Sequence, residues 1–149
     1  MKSFKFFVAF IALVFSASHL QAQVTSVPEQ AKTNFAAQYP GATNVEWDND
    51  VVNVNVRFEL DGEKMNAEYN NRGTWKSTLK AWTFEKLPAS VKDGFDKSKF
   101  ADREVTEVMV VYLPGDVKQY RIKAEKNDLQ KKFLYFNEQG RLVRDANTI

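Results

Sequence analysis

The chain has 149 residues, 44% of them hydrophobic, with a formal net charge of +2. That length suits one globular unit with room for a core. Of the 21 basic residues, Lys2 and Lys5 fall in an expected leader, which leaves 19 against 19 acidic residues and no electrostatic footprint for nucleic acid.

The first segment, Met1 to Ala22, reads as a secretory signal peptide. It has a basic start at Lys2 and Lys5, an apolar run from Phe6 to Phe15, and a small residue, Ala22, before Gln23. The run is too short to span a bilayer, so no membrane anchor is expected after cleavage near Ala22. The expected compartment is periplasmic or secreted. The chain has no cysteine and its single histidine, His19, lies in the leader. Thiol nucleophiles, histidine acid–base chemistry and the usual zinc and copper sites are thereby excluded for the mature chain. Stability must come from burial and hydrogen bonding rather than from disulfides.

After the leader, Ser26-Val27-Pro28-Glu29 has the spacing of a capping box and predicts a helix over Val27 to Tyr39. Val27, Ala31, Phe35 and Tyr39 share one face of it, and Pro40-Gly41 ends it. A short strand, Val45 to Asp48, turns at Asn49-Asp50 into the clearest stretch of the chain. There Val52, Val54, Val56, Phe58 and Leu60 alternate with Asn53, Asn55, Arg57 and Glu59, one face buried and one wet. Asp61-Gly62 predicts a two-residue hairpin, which pairs Leu60 with Glu63, Phe58 with Met65, Val56 with Ala67 and Val54 with Tyr69. A second turn at Asn71-Arg72-Gly73, with Gly73 in a left-handed conformation, pairs Tyr69 with Trp75, Ala67 with Ser77, Met65 with Leu79 and Glu68 with Lys76. The fourth strand runs from Thr74 to Thr83.

The pattern then restarts. Leu87-Pro88, Val91 and Phe95 match Val27-Pro28, Ala31 and Phe35. A second helix is expected over Pro88 to Lys99, weakened by Gly94. Strands follow over Glu104 to Leu113, Val117 to Lys126, Leu129 to Asn137 and Arg141 to Asp145. The segment around Gly140 echoes that around Gly73, with Phe136 matching Tyr69 and Leu142 matching Trp75. The fold expected is α+β: two tandem α-β-β-β-β repeats, 23–86 and 87–149, forming an antiparallel sheet with helices packed on one face. Two points stay open. An Asn127-Asp128 turn sets Phe133 and Tyr135 beside Ile122, whereas the repeat sets Leu134 and Phe136 there. The strand from Glu104 is apolar on both faces, so both need cover.

Val27-Pro28, Phe35, Tyr39-Pro40-Gly41-Ala42, Val45, Trp47, Ala67, Tyr69, Gly73 and Trp75 carry a family likeness. With them the chain resembles the PepSY-like secreted proteins of Bacteroidetes, a family similar in fold to beta-lactamase inhibitor protein. That resemblance implies a sheet with helices on one face and protein binding on the other, and no catalytic residues. The inhibitor has disulfides and this chain has none, so the likeness speaks for the fold more than for a shared target.

The residues offer three functions of different class. The favoured one is a non-enzymatic binding module that regulates or inhibits another envelope or secreted protein. Its expected surface is the wet face of the first unit: Asn53, Asn55, Arg57, Glu59, Lys64, Asn66, Glu68, Lys76, Thr78, Lys80 and Trp82, a polar rim beside one aromatic. Trp82 has a second reading, as a core residue beneath the second unit, and the sequence leaves both open. A small-ligand carrier would need a cavity between sheet and helices. A hydrolase would need two carboxyls converging in one cleft. Asp48-Asn49-Asp50 reads as a turn rather than a calcium loop, and no cofactor is expected.

Overall fold

Eight antiparallel strands pair in strict chain order, β1 (Thr43–Asn49), β2 (Asn53–Leu60), β3 (Glu63–Asn70), β4 (Trp75–Trp82), β5 (Glu104–Leu113), β6 (Val117–Glu125), β7 (Lys131–Asn137) and β8 (Leu142–Asn147). Helix α1 (Glu29–Gln38) precedes β1, and α2 (Ala89–Asp96) lies between β4 and β5. This computed structural model describes residues 26–50 and 52–148, so the expected leader and its cleavage site lie outside the described residues.

The β2–β3 hairpin has the expected register, from Leu60↔Glu63 through Val54↔Tyr69. Asp61 and Gly62 both take positive φ (53° and 77°), the two-residue turn that matches strand twist. In the next hairpin Tyr69 pairs with Trp75 as expected, but a bulge at Lys76 then shifts the partners to Glu68↔Ser77, Ala67↔Thr78 and Met65↔Lys80. This corrects the expected pairs Ala67–Ser77, Met65–Leu79 and Glu68–Lys76. One extra residue on a strand reverses the face of every side chain beyond it. Thr78 therefore points inward, fully buried, where its hydroxyl is hydrogen-bonded to Tyr39 Oη and accepts Trp75 Nε1 at 2.9 Å. Two partners for the hydroxyl remove the cost of burying it. Leu79 turns outward in exchange.

Beyond the helix, Ile122 pairs with Leu134 and Tyr120 with Phe136, which settles the open register. The β6–β7 turn is wider than two residues, because Asn127 Oδ1 accepts the backbone N–H of Leu129 and of Gln130. At the β7–β8 turn Phe136 pairs with Leu142 next to a bulge, as Tyr69 pairs with Trp75. Asn70 and Asn137 hold their turns alike: each carbonyl accepts the N–H of the glycine three residues on, and each side chain caps the following backbone.

Both helices are shorter than expected. Pro28 and Pro88 occupy the N-caps in extended conformation (ψ 132° and 145°), and neither N-cap makes a side-chain capping bond. The capping box at Ser26 therefore does not form. The Ser26 carbonyl instead accepts Asn49 Nδ2 at 3.1 Å. Helices of ten and eight residues are marginal alone, so tertiary contacts hold them. In one core cluster Ala31 and Phe35 of α1 meet Val54, Val56, Phe58, Ala67 and Tyr69. Phe35 packs edge-on to Phe58 and Trp47, with ring centroids 4.9 and 5.3 Å away. In the other, Val91 and Phe95 of α2 meet Val108, Val110, Ile122, Leu134 and Phe136. Gly73 and Gly140 let the turns press on the helices, since a Cβ at Gly73 would lie 2.5 Å from Ala31 N and one at Gly140 1.9 Å from Ser90 O.

Trp82 follows the bulge. It is half-buried on the side of the cores, packs on the second cluster, and is flanked by the Lys80 and Lys86 ammonium groups at 5.1 and 5.4 Å from its ring. Its core reading is the one observed. Thr78, Lys80 and Trp82 are thus corrected away from the wet face by the same one-residue shift.

Candidate functional site: the outer face of the sheet

The face turned away from both clusters is built from rows that cross the strands. One row runs Glu46–Arg57–Asn66–Leu79–Val111–Gln119–Asn137, and beside it runs Ala81–Met109–Arg121–Tyr135–Arg144. Neighbouring strands lie about 4.8 Å apart, so each row is a continuous stripe of side chains. Leu79 and Ala81 of β4 meet Val111 and Met109 of β5 at the centre. This apolar patch straddles the pairing that joins the two halves of the sheet. The expectation that both faces of β5 are covered is met only on the side of Val108 and Val110; among the described residues no helix packs on the outer-facing row. Polar residues lie to both sides.

Two hollows occupy this face. One, of about 600 Å³, extends over β1–β6 and includes Arg57, Lys64, Asn66, Ala81 and Met109. The other, of about 640 Å³, reaches β8 and includes Glu68, Val111, Tyr135 and Arg144. They share Leu79 and Arg121. Four cations (Arg57, Lys64, Arg121, Arg144) and three anions (Glu46, Glu59, Glu68) line the pair, so the charge is nearly balanced. Arg57 reaches Glu46 at 3.3 Å across an exposed pair, and Arg121 reaches Glu107 at 2.7 Å with its side chain only 15% exposed.

Of the residues expected from sequence, Arg57, Glu59, Lys64, Asn66 and Glu68 line these hollows. Asn53 and Asn55 share the face but line neither hollow. Lys76 is exposed in the bulge. Lys80 is turned inward and pairs with Glu63 at 3.1 Å. Leu79, Met109, Arg121, Tyr135 and Arg144 were not anticipated as site residues. The signal for Met109 was the two-sided apolarity of its strand, and Leu79 needed the bulge.

A third hollow, of about 520 Å³, lies on the side of the cores between the end of α1 and the β5–β6 turn, lined by Gln38, Tyr39, Trp75, Tyr112, Lys118 and Glu138. Burial pushes the phenols of Tyr39 and Tyr69 up, and the hydrogen bond to Glu138 raises Lys118. Glu125, hydrogen-bonded by Lys123, Thr106 and Lys131, is held down at about 2. Each displacement carries its group further from neutrality, which is the wrong direction for a general acid or base. Among the described residues no three acidic side chains converge as metal ligands, and no helix is long and apolar enough to cross a membrane.

A family profile described as "Putative beta-lactamase-inhibitor-like, PepSY-like" matches residues 53–144. The chain belongs to that PepSY-like family. Among solved structures, a DUF2874 family protein from Bacteroides ovatus is similar at 27% identity and TM-score 0.73, over 82% of this chain and 88% of that one. A beta-lactamase-inhibitor-protein-like protein from Bacteroides fragilis shares the fold at 21% identity and TM-score 0.72, over 83% and 87%. One of the "putative periplasmic proteins" of Bacteroides eggerthii does so at 24% and 0.71, over 82% and 89%. No protein in the curated comparison matches this chain. The PepSY-like chain thus has the inhibitor-like fold, with one antiparallel eight-stranded sheet and two helices among the described residues.

Proposed function

We propose that this PepSY-like protein is a non-enzymatic binding module, periplasmic or secreted, that docks another envelope or secreted protein on the outer face of its sheet and so regulates or inhibits it. The observation that carries this reading is the apolar centre of Leu79, Ala81, Met109 and Val111 inside a polar, charge-balanced rim. Protein interfaces have that anatomy, whereas a catalytic cleft concentrates groups of displaced pKa. The finer fold reading belongs here too: two tandem α-β4 units with both helices on one face. Its support is the matching Pro28 and Pro88 caps, the matching Asn70–Gly73 and Asn137–Gly140 turns, and the two clusters, which draw on one set of strand faces. The relative described as periplasmic, together with the leader-like start of the chain, supports the compartment.

The test is capture from a periplasmic extract with the wild type and with Ala81→Arg. Ala81 is exposed, so the substitution fills the apolar centre without touching a core. Wild type should retain a protein that the variant loses; equal retention would remove the outer face from the account. A second reading, a small-ligand carrier, is favoured by the third hollow, with Tyr39, Trp75 and Tyr112 along its walls. Release of a small molecule on denaturing freshly purified protein, found by mass spectrometry, would shift the assignment to that cleft.

A further inference from the structure

Two arginines of the outer face lie over aromatic rings. The guanidinium carbon of Arg121 is 4.4 Å from the Phe133 ring centre, and that of Arg144 is 3.8 Å from the Tyr135 ring centre. They differ in what else they hold. Arg121 is mostly covered and already bonded to the Glu107 carboxylate. Arg144 is exposed, and among the described residues it has no ion pair. Stacking fixes the plane of a guanidinium and leaves its N–H edge outward, the geometry that takes a carboxylate in two parallel hydrogen bonds. Among the described residues Glu68 is the one carboxylate lining the same hollow, and it stands on β3, five strands from β8 in the sheet order. Between them the floor carries an apolar strip of Leu79, Leu113 and the nearly covered Val111, followed toward β8 by Gln119 and Arg121 of β6.

We propose that this half of the outer face recognises a protein segment carrying a carboxylate side chain for Arg144 and an apolar side chain for the Leu79–Val111–Leu113 floor. The inference rests on the docking function above and specifies the partner's chemistry. Val111 on β5 and Arg144 on β8 are three strand spacings apart and one row out of line, about 16 Å. An extended segment crossing the strands rises about 3.4 Å per residue, so its apolar and acidic residues should stand roughly four to five positions apart. The positive charges at this end disfavour a basic segment, and the apolar floor gives a small free acid nothing further to bind.

The experiment is selection of a displayed random-peptide library on the full chain, repeated on Ala81→Arg and Arg144→Glu. Enriched peptides should pair an apolar residue with Asp or Glu at that spacing. A synthetic peptide of the enriched sequence should bind Arg144→Glu roughly tenfold more weakly or worse, and exchanging its acid for Lys should restore affinity to that variant. Arg144→Gln, which removes the charge without adding another, serves if the reversal perturbs folding. Peptides that Ala81→Arg loses, but that show no acidic preference or bind Arg144→Glu equally, overturn the carboxylate inference and leave the docking face standing. If no selected peptide depends on Ala81 or on Arg144, both fall.

Discussion

Gly94 sits inside α2, where propensity alone favours alanine by about 1 kcal/mol. The structure gives the opposite sign, because a Cβ there would lie 1.9 Å from the Gly140 carbonyl oxygen. At the corresponding place in α1, Asn34 donates to the Gly73 carbonyl at 2.8 Å; in α2 the backbones make the contact directly. Gly94→Ala should cost about 1–3 kcal/mol as overpacking does, read as a lower midpoint in urea, and a neutral or stabilising result would mean α2 does not rest on the β7–β8 turn. Glu125 is a residue-scale test of another kind. Its carboxyl is held at about 2 against an ordinary 4.5, first by Lys123 and then by Thr106 and Lys131. A depressed folded pKa contributes stability that is present above the ordinary value and lost as pH falls through the folded one. Glu125→Gln should therefore be less stable than wild type at pH 7, and the gap should narrow from about pH 4.5 and close toward pH 2 in parallel melts. A gap that does not change with pH would mean that these three bonds do not favour the ionised carboxylate of Glu125.

The bulge at Lys76 decides which face of β4 works. The chain has no cysteine, so single cysteines report on that strand without background. Ser77→Cys and Ala81→Cys should react readily with a thiol reagent, while Thr78→Cys should be protected until the protein unfolds. The reverse pattern would restore the register without the bulge. That contrast also shows how much was legible. The β2–β3 hairpin could be read because Asp61-Gly62 pins a two-residue turn and every apolar residue then falls on one face. β4 could not, because a bulge leaves no mark in composition and a buried Leu79 looks better than a buried Thr78 until Tyr39 and Trp75 are known to bond its hydroxyl. The register after Asn127 stayed open for a similar reason, since the width of that turn depends on side-chain capping. The Phe136–Leu142 pairing was readable from its likeness to Tyr69–Trp75. Of the expected site, Arg57, Glu59, Lys64, Asn66 and Glu68 could be found because they precede the bulge.

At the scale of the whole molecule, the antiparallel pairing of β4 with β5 carries the sheet across the junction of its two halves. It brings Leu79 and Ala81 from one half beside Met109 and Val111 from the other, so the apolar centre exists only when the halves are joined. Each half alone would present part of it, with an unpaired strand edge alongside. The account therefore turns on whether a bound partner touches that seam. Methyl signals of Leu79, Met109 and Val111 report the outer face, and those of Val54, Val56, Ile122 and Leu134 report the cores. The decisive measurement is the change in these methyl resonances when the protein retained by wild type and lost by Ala81→Arg is titrated in. The account predicts large shifts at Leu79, Met109 and Val111, with the core methyls nearly still. Shifts confined to α1, α2 or the Tyr39–Tyr112 cleft, with Leu79 and Met109 unmoved, would contradict it.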